Sequence, residues 1–164
     1  LAAGDPSLTV AIVDQGIKYS HPDLAANMWI NPNPSPEYKN QDIHGWNFAA
    51  DGPISWGQKG DSGHGTHVAG TVAAVNNNGI GVCGVAGGTG KGDGVRLMSC
   101  QIFSGDLTGD ALVSSRAVKY AADHGASILQ CSWGIKAGIY TSDNMFIKQS
   151  PMDCLLYTSD AADE

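Results

Sequence analysis

From Leu8 to Val13 every position of LTVAIV is apolar or β-branched, and the run breaks at Asp14 and Gly16. An unalternated run of this kind predicts a strand buried on both faces, with a loop at its carboxyl end. From Ile17 to Gly63 the pattern dissolves into Pro, Asn, Gly and Trp (NPNPSPEYKNQDIHGWNF), with room only for a short strand at Trp46 to Phe48. Irregular stretches of that length inside a domain are commonly functional. Val68, Ala69, Val72, Ala73 and Val75 in HGTHVAGTVAAV then predict a helix packed closely on a neighbour, and NNNGIG stops it. Val95 to Phe103 (VRLMSCQIF) is a second strand. DALVSSRAVKYAADHG follows as a helix, with Asp110 placed to cap it and Gly125 placed to end it, and ASILQCSW is a third strand. Strands alternating with helices imply parallel pairing, hence an α/β fold in three layers: a doubly wound, mostly parallel sheet between helices. Ligands of such sheets gather at the carboxyl ends of the strands. That edge holds Asp14, the Phe103 to Leu107 loop and Ser132-Trp133-Gly134.

Composition narrows the function. The 164 residues are 42% hydrophobic and 15% charged, which fits a single globular domain. A formal charge of -7 leaves no basic stripe for a nucleic-acid backbone, and no apolar run approaches the roughly 20 residues of a membrane helix. Cys83, Cys100 and Cys131 have no CxxC spacing and read as small buried hydrophobes. GGTGKGDG at Gly87 to Gly94 lacks the first Gly of a phosphate loop, follows Lys91 with Gly92 and leads into a strand, so it reads as a connecting loop. The chain opens LAAGDPS without Met, leaving a signal segment unread. CLLYTSDAADE, residues 154–164, continues no helical or strand period. One back-translation of it resembles a sequencing-library transposon end, so 154–164 is read as adapter sequence, with an ordinary polar tail as the alternative, and the domain as residues 1–153.

His64 stands where a glycine turn enters a helix, whose dipole favours the neutral imidazole that a general base needs. Asp14 is the carboxylate that could orient it. Taken singly, an Asp after a strand is a turn residue and a His in a glycine turn is a solvated one. On bare spacing His67 is an alternative base. His64 and His67 could also share a metal, but the Glu of HExxH and a third ligand are missing.

Two stretches taken together change that balance. VAIVDQGIKYSHPDL, Val10 to Leu24, resembles the aspartate motif of the subtilisin-like serine protease family, and DSGHGTHVAGT, Asp61 to Thr71, resembles its histidine motif. The resemblance continues through NNNGIGVCGVAG and CSWG, covering Leu8 to Gly134. It implies a subtilisin-like endopeptidase domain in which Asp14 orients and His64 is the base, with His67 a buried packing residue, His21 structural, and His44 and His124 in surface or cap roles. The family's serine sits in a G-T-S-M-A type turn, preceded by an oxyanion Asn. Neither motif occurs here. The resemblance therefore implies a fold incomplete on its C-terminal side and a chain inactive by itself; a non-catalytic peptide-binding module of the same fold is the alternative.

Ser132-Trp133-Gly134 resembles the family's S-L-G segment, which pairs with an extended peptide as an added strand. Trp133 would then be a larger wall of the cleft. Phe103 and Leu107 fall at the facing rim, although Phe103 equally fits a strand-end core position. The resemblance further implies a structural calcium held by Asp23, the Asn77 side chain and carbonyls of Val75, Ile80 and Val82, in a loop one residue longer at Gly79. Turn residues alone would give the same pattern. Secretion or a cell-envelope location follows from family habit.

Overall fold

The computed structural model describes residues 3–134. Its elements are β1 (Thr9–Gln15), β2 (Gly45–Asn47), α1 (His64–Ala73), β3 (Arg96–Ser104), β4 (Leu107–Thr108), α2 (Ala111–Asp123) and β5 (Ile128–Gln130). The sheet order is β2-β3-β1-β5, all parallel, and β4 folds back antiparallel on the end of β3. The α/β, parallel-sheet architecture expected from the sequence is the one observed.

Alternation along the two central strands assigns the layers. Ala11 and Val13 of β1, with Met98, Cys100 and Ile102 of β3, pack against Ala117, Tyr120 and Ala121 of α2. Val10 and Ile12, with Leu97, pack against Ala69 and Ala73 of α1 on the opposite face. With both faces covered, the strands carry no exposed stripe, which explains their continuous apolar run. The α1 face changes character along its length. Val10 pairs with Leu97 at one end, Ile12 with Ser99 in the middle and Asp14 with Gln101 at the carboxyl end. Period-two alternation thus puts Asp14 on the same side of the sheet as the helix that carries His64.

The long irregular stretch is held by side chains in place of a ladder. Asp42, fully buried, accepts hydrogen bonds from Asn31 Nδ2 (2.8 Å), the Ser35 N–H (3.1 Å) and the Tyr120 hydroxyl (3.0 Å), tying the stretch to α2. Burial first, and Asp42 second, push the Tyr120 hydroxyl far above its ordinary range, so it stays a donor. Asp110 accepts from the Val113 N–H at 2.8 Å as the cap of α2, and Gly125 leaves the helix at φ 79°.

Several details differ from expectation. β1 does not stop at Val13: its ladder continues through Asp14 to Gln15 because β3 is long enough to pair it. β2 lies one residue earlier than Trp46 to Phe48. The β3–β4 hairpin carries too little apolar alternation to be foreseen. Among the described cysteines Cys83 and Cys131 are exposed, and Cys100 alone is a buried hydrophobe. The 87–94 loop is a connector closed by Asp93, whose Oδ1 accepts from the Thr89 N–H (2.7 Å) and whose Oδ2 accepts from the Thr89 hydroxyl (2.7 Å).

Those bonds lower the Asp93 carboxyl from 3.8 to about 2. A depressed pKa means that the turn is held at higher pH and loosens as pH falls through about 2. The Thr89 amide resonance is expected to titrate at that lower midpoint; a midpoint near 3.8 would show that the contact does not persist in solution. A second prediction concerns Gly65, where an added Cβ would overlap the Gln15 carbonyl. Helix propensity favours Ala over Gly by about 1 kcal/mol, but a rigid backbone carbonyl cannot yield, so Gly65→Ala is expected to lose about 1–3 kcal/mol in urea unfolding. A stabilised variant would mean that α1 can retreat from β1.

Candidate active site

β1 and α1 meet end to end at the carboxyl edge of the sheet. The carboxyl end of β1 supplies Asp14, and the first residue of α1 is His64. Gly63 makes the corner between loop and helix with φ 75°, a left-handed conformation that glycine adopts without strain. Gly65 lets the helix backbone touch the Gln15 carbonyl.

His64 Nδ1 lies 2.8 Å from Asp14 Oδ1. A carboxylate can only accept, so Nδ1 carries the proton and Nε2 presents its lone pair. Asp14 is 1% exposed while the His64 side chain is 48% exposed, giving a buried anchor and an accessible ring. Asp14 Oδ1 also accepts from the Gln15 N–H at 2.6 Å. Asp14 Oδ2 is buried with no hydrogen-bond partner among the described residues. A buried, half-satisfied carboxylate is costly and is tolerated where its charge has work to do. The arrangement can accept a proton at Nε2 and stabilise the resulting cation through Nδ1.

His67, on the same helix, is exposed, against the expectation of a buried packing residue: it falls on the outer side of α1, while Ala69 and Ala73 face the sheet. His21 is structural, its Nδ1 accepting from the Asp23 N–H at 3.1 Å. His44 Nδ1 donates to the Trp29 carbonyl (2.7 Å), and His124 Nδ1 donates to that of Tyr120 (2.8 Å) at the end of α2.

Ser132, Trp133 and Gly134 follow β5 at the same edge, with Ser132 and Gly134 exposed. Trp133 turns back onto β1: its Nε1 donates to the Val13 carbonyl at 2.7 Å and its ring meets Phe103 edge to face at 6.2 Å. The structure therefore brings Phe103 and Trp133 together beside the strand that carries Asp14. Leu107 sits in β4, 51% exposed.

At the calcium candidate, Asp23 is buried and Val75 N–H donates to its backbone carbonyl. Asp23 Oδ1 accepts from Asn78 Nδ2 (2.7 Å) and Oδ2 from the Val82 N–H (2.9 Å). Asn77 instead donates to the Thr89 carbonyl at 3.2 Å, and Ile80 N–H donates to Asn78 Oδ1 at 3.1 Å. Calcium requires free carboxylate and carbonyl oxygens converging on one point. Each Asp23 oxygen accepts one N–H donor and Asn77 is turned to Thr89, so the two side chains expected as ligands do not converge and the loop is closed by its own hydrogen bonds.

Sequence reasoning passed over Gln15. Its Oε1 accepts the His64 N–H at 3.0 Å, and the Ser62 N–H and hydroxyl at 3.3 and 3.4 Å. The signal was available: a glycine N-cap offers the helix no side-chain acceptor.

The fold is thus an α/β protein whose parallel sheet presents an Asp–His pair at its carboxyl edge. The model of the subtilase family, peptidase S8, matches residues 5–160, and the chain belongs to that family. Thermitase of Thermoactinomyces vulgaris is 32% identical over 79% of this chain and 38% of its own length. Halolysin of Haloferax mediterranei is 33% identical over 80% of this chain and 22% of its own. Among solved structures, fervidolysin from Fervidobacterium pennivorans, a keratinolytic enzyme related to subtilisin, superposes with a TM-score of 0.53 at 26% identity, covering 83% of this chain and 18% of that one. A lanthipeptide protease shares the fold with a TM-score of 0.60 at 23% identity, over 90% of this chain and 34% of its own. This chain thus spans well under half the length of these relatives.

Chelation with EDTA is expected to leave the melting temperature unchanged, whereas Asp23→Ala, by stranding the Asn78 amide and the Val82 N–H, is expected to cost about 1–3 kcal/mol. A melting temperature that falls with EDTA and recovers with calcium would show that the loop opens to a cation.

Proposed function

We propose that this chain supplies the acid–base half of a serine endopeptidase that cleaves extended peptides. The observation that carries the reading is the 2.8 Å contact between His64 Nδ1 and a buried Asp14, which leaves Nε2 directed to solvent as an acceptor. In this reading Nε2 takes the proton of a serine hydroxyl as its oxygen bonds to the peptide carbonyl carbon. The same proton then passes to the departing amine as the C–N bond breaks, and Asp14 stabilises the imidazolium between the two steps. Water completes the cycle by the reverse route.

Ser132 and Gly134 offer an exposed backbone for a substrate strand, which reads peptide main chain and so suits broad endopeptidase action. Phe103, Trp133 and Leu107 are the side chains we assign to the upstream subsites. No G-T-S triplet occurs in the 164 residues, so the chain by itself is proposed to be without hydrolytic activity. Export from the cell is proposed on the family resemblance alone.

In the full-length protein, His64→Ala is expected to lower kcat about 10⁴-fold or more. Retention of activity within tenfold would sink the role of His64. The 164-residue chain is expected to take up no serine-hydrolase probe; labelling above that of its His64→Ala variant would show a nucleophile within it.

A further inference from the structure

We propose that Gln15 is a positioning residue for the Asp14–His64 pair: its side-chain oxygen caps the helix that carries His64 and so fixes the reach of the imidazole to the carboxylate. The proposal rests on that pair being the catalytic one.

The first N–H groups of a helix have no partner within it, and the usual remedy is a Ser, Thr, Asp or Asn at the N-cap. Here the N-cap is Gly63, which has no side chain to offer. The acceptor comes from another element. Gln15 Oε1 takes the N–H of His64 at 3.0 Å, together with the Ser62 N–H at 3.3 Å. One atom of β1 thereby holds the two residues flanking the Gly63 corner.

Strand geometry gives this contact a special cause. By simple alternation Gln15 belongs with Ala11 and Val13 on the α2 face, while Asp14 belongs on the α1 face. The β1–β3 register shifts between these two residues, Asp14 facing Gln101 but Gln15 facing Phe103. The skipped residue, Ile102, lies on β3, so the ladder is irregular there, and at this end of β1 the Gln15 side chain reaches α1. The same residue therefore touches both members of the pair: its backbone N–H donates to Asp14 Oδ1 at 2.6 Å, and its side chain accepts from the His64 N–H.

Chain length and charge both suit Gln. Asn would be one methylene short across the gap. Glu would accept the same bonds but bring a second negative charge beside the imidazole, in competition with Asp14. A neutral amide caps the helix and leaves Asp14 as the charge that His64 faces. A second tie lies two residues on, where Thr66 Oγ1 accepts the Lys18 N–H at 2.9 Å, so α1 retains a link to the chain beyond β1 when Gln15 is altered.

The test follows two protons by NMR in the 164-residue chain: the His64 Nδ1 proton and the His64 backbone amide. Gln15→Met keeps length and removes the acceptor, and Gln15→Glu keeps the acceptor. In Gln15→Met the Nδ1 proton signal is expected to vanish through solvent exchange and the His64 amide to exchange about tenfold faster. In Gln15→Glu both are expected to persist, with the amide moved downfield by the charged acceptor. In the full-length protein Gln15→Met should lower kcat while KM stays within twofold, and Gln15→Glu should restore part of the loss. Both signals unchanged in a folded Gln15→Met would overturn the proposal. Should that variant fail to fold, a His64 amide unmoved in Gln15→Glu overturns it instead. Asp14→Ala, which removes the acceptor, is the control: survival of the Nδ1 signal there would overturn the pair itself, a failure distinct from that of Gln15.

Discussion

The site depends on how closely the amino terminus of one helix approaches the carboxyl end of one strand. Gly65 has no Cβ because the Gln15 carbonyl occupies its place, and Gly63 turns left-handed so that the helix can begin there. A side chain at Gly65 would separate α1 from β1, and the 2.8 Å contact between His64 and Asp14 would stretch with them. Hydrogen bonds weaken steeply with distance and angle. The two glycines therefore matter to the chemistry although neither touches a reacting atom.

The sheet beneath prepares the same edge. On the α1 face, apolar pairs give way to Ser99, Gln101 and Asp14 as β1 and β3 approach their carboxyl ends. Ser99 Oγ accepts the Ile17 N–H at 3.2 Å, and Gln101 Oε1 accepts the Ser55 N–H at 2.9 Å, so the buried polar groups hold the loops that frame the site. Buried polar groups are tolerated when hydrogen-bonded, and these are. Two buried side-chain oxygens among the described residues lack a partner, Asn76 Oδ1 and Asp14 Oδ2, and the second lies at the site itself.

Two acidic residues away from the site show another use of burial. Asp42 gathers the long irregular stretch onto α2, and Asp23 closes the 75–82 loop upon itself. Both are satisfied by N–H or O–H donors, and each organises chain that lacks regular structure. A loop that meets its own carboxylate has less need of a cation to do so.

Much of this was legible in the sequence. The apolar run at Leu8 to Val13, the capped helix after Asp110 and the alternation of strands with helices specified the layers, because hydrophobic periodicity and capping are local properties. The two motif stretches singled out Asp14 and His64, which alternation and a glycine turn then carried to one edge. Residues 135–164, with the sequence boundary drawn at 153, lie outside the described residues. What the sequence could not decide depended on register and side-chain direction. Gln15 reached α1 where the β1–β3 register shifts, Trp133 bent back to the Val13 carbonyl, His67 fell on the exposed side of its helix, and Asn78 rather than Asn77 reached Asp23. Each of these outcomes turns on a rotation or shift of one position, which leaves a local pattern almost unchanged and is settled only when distant segments pack together.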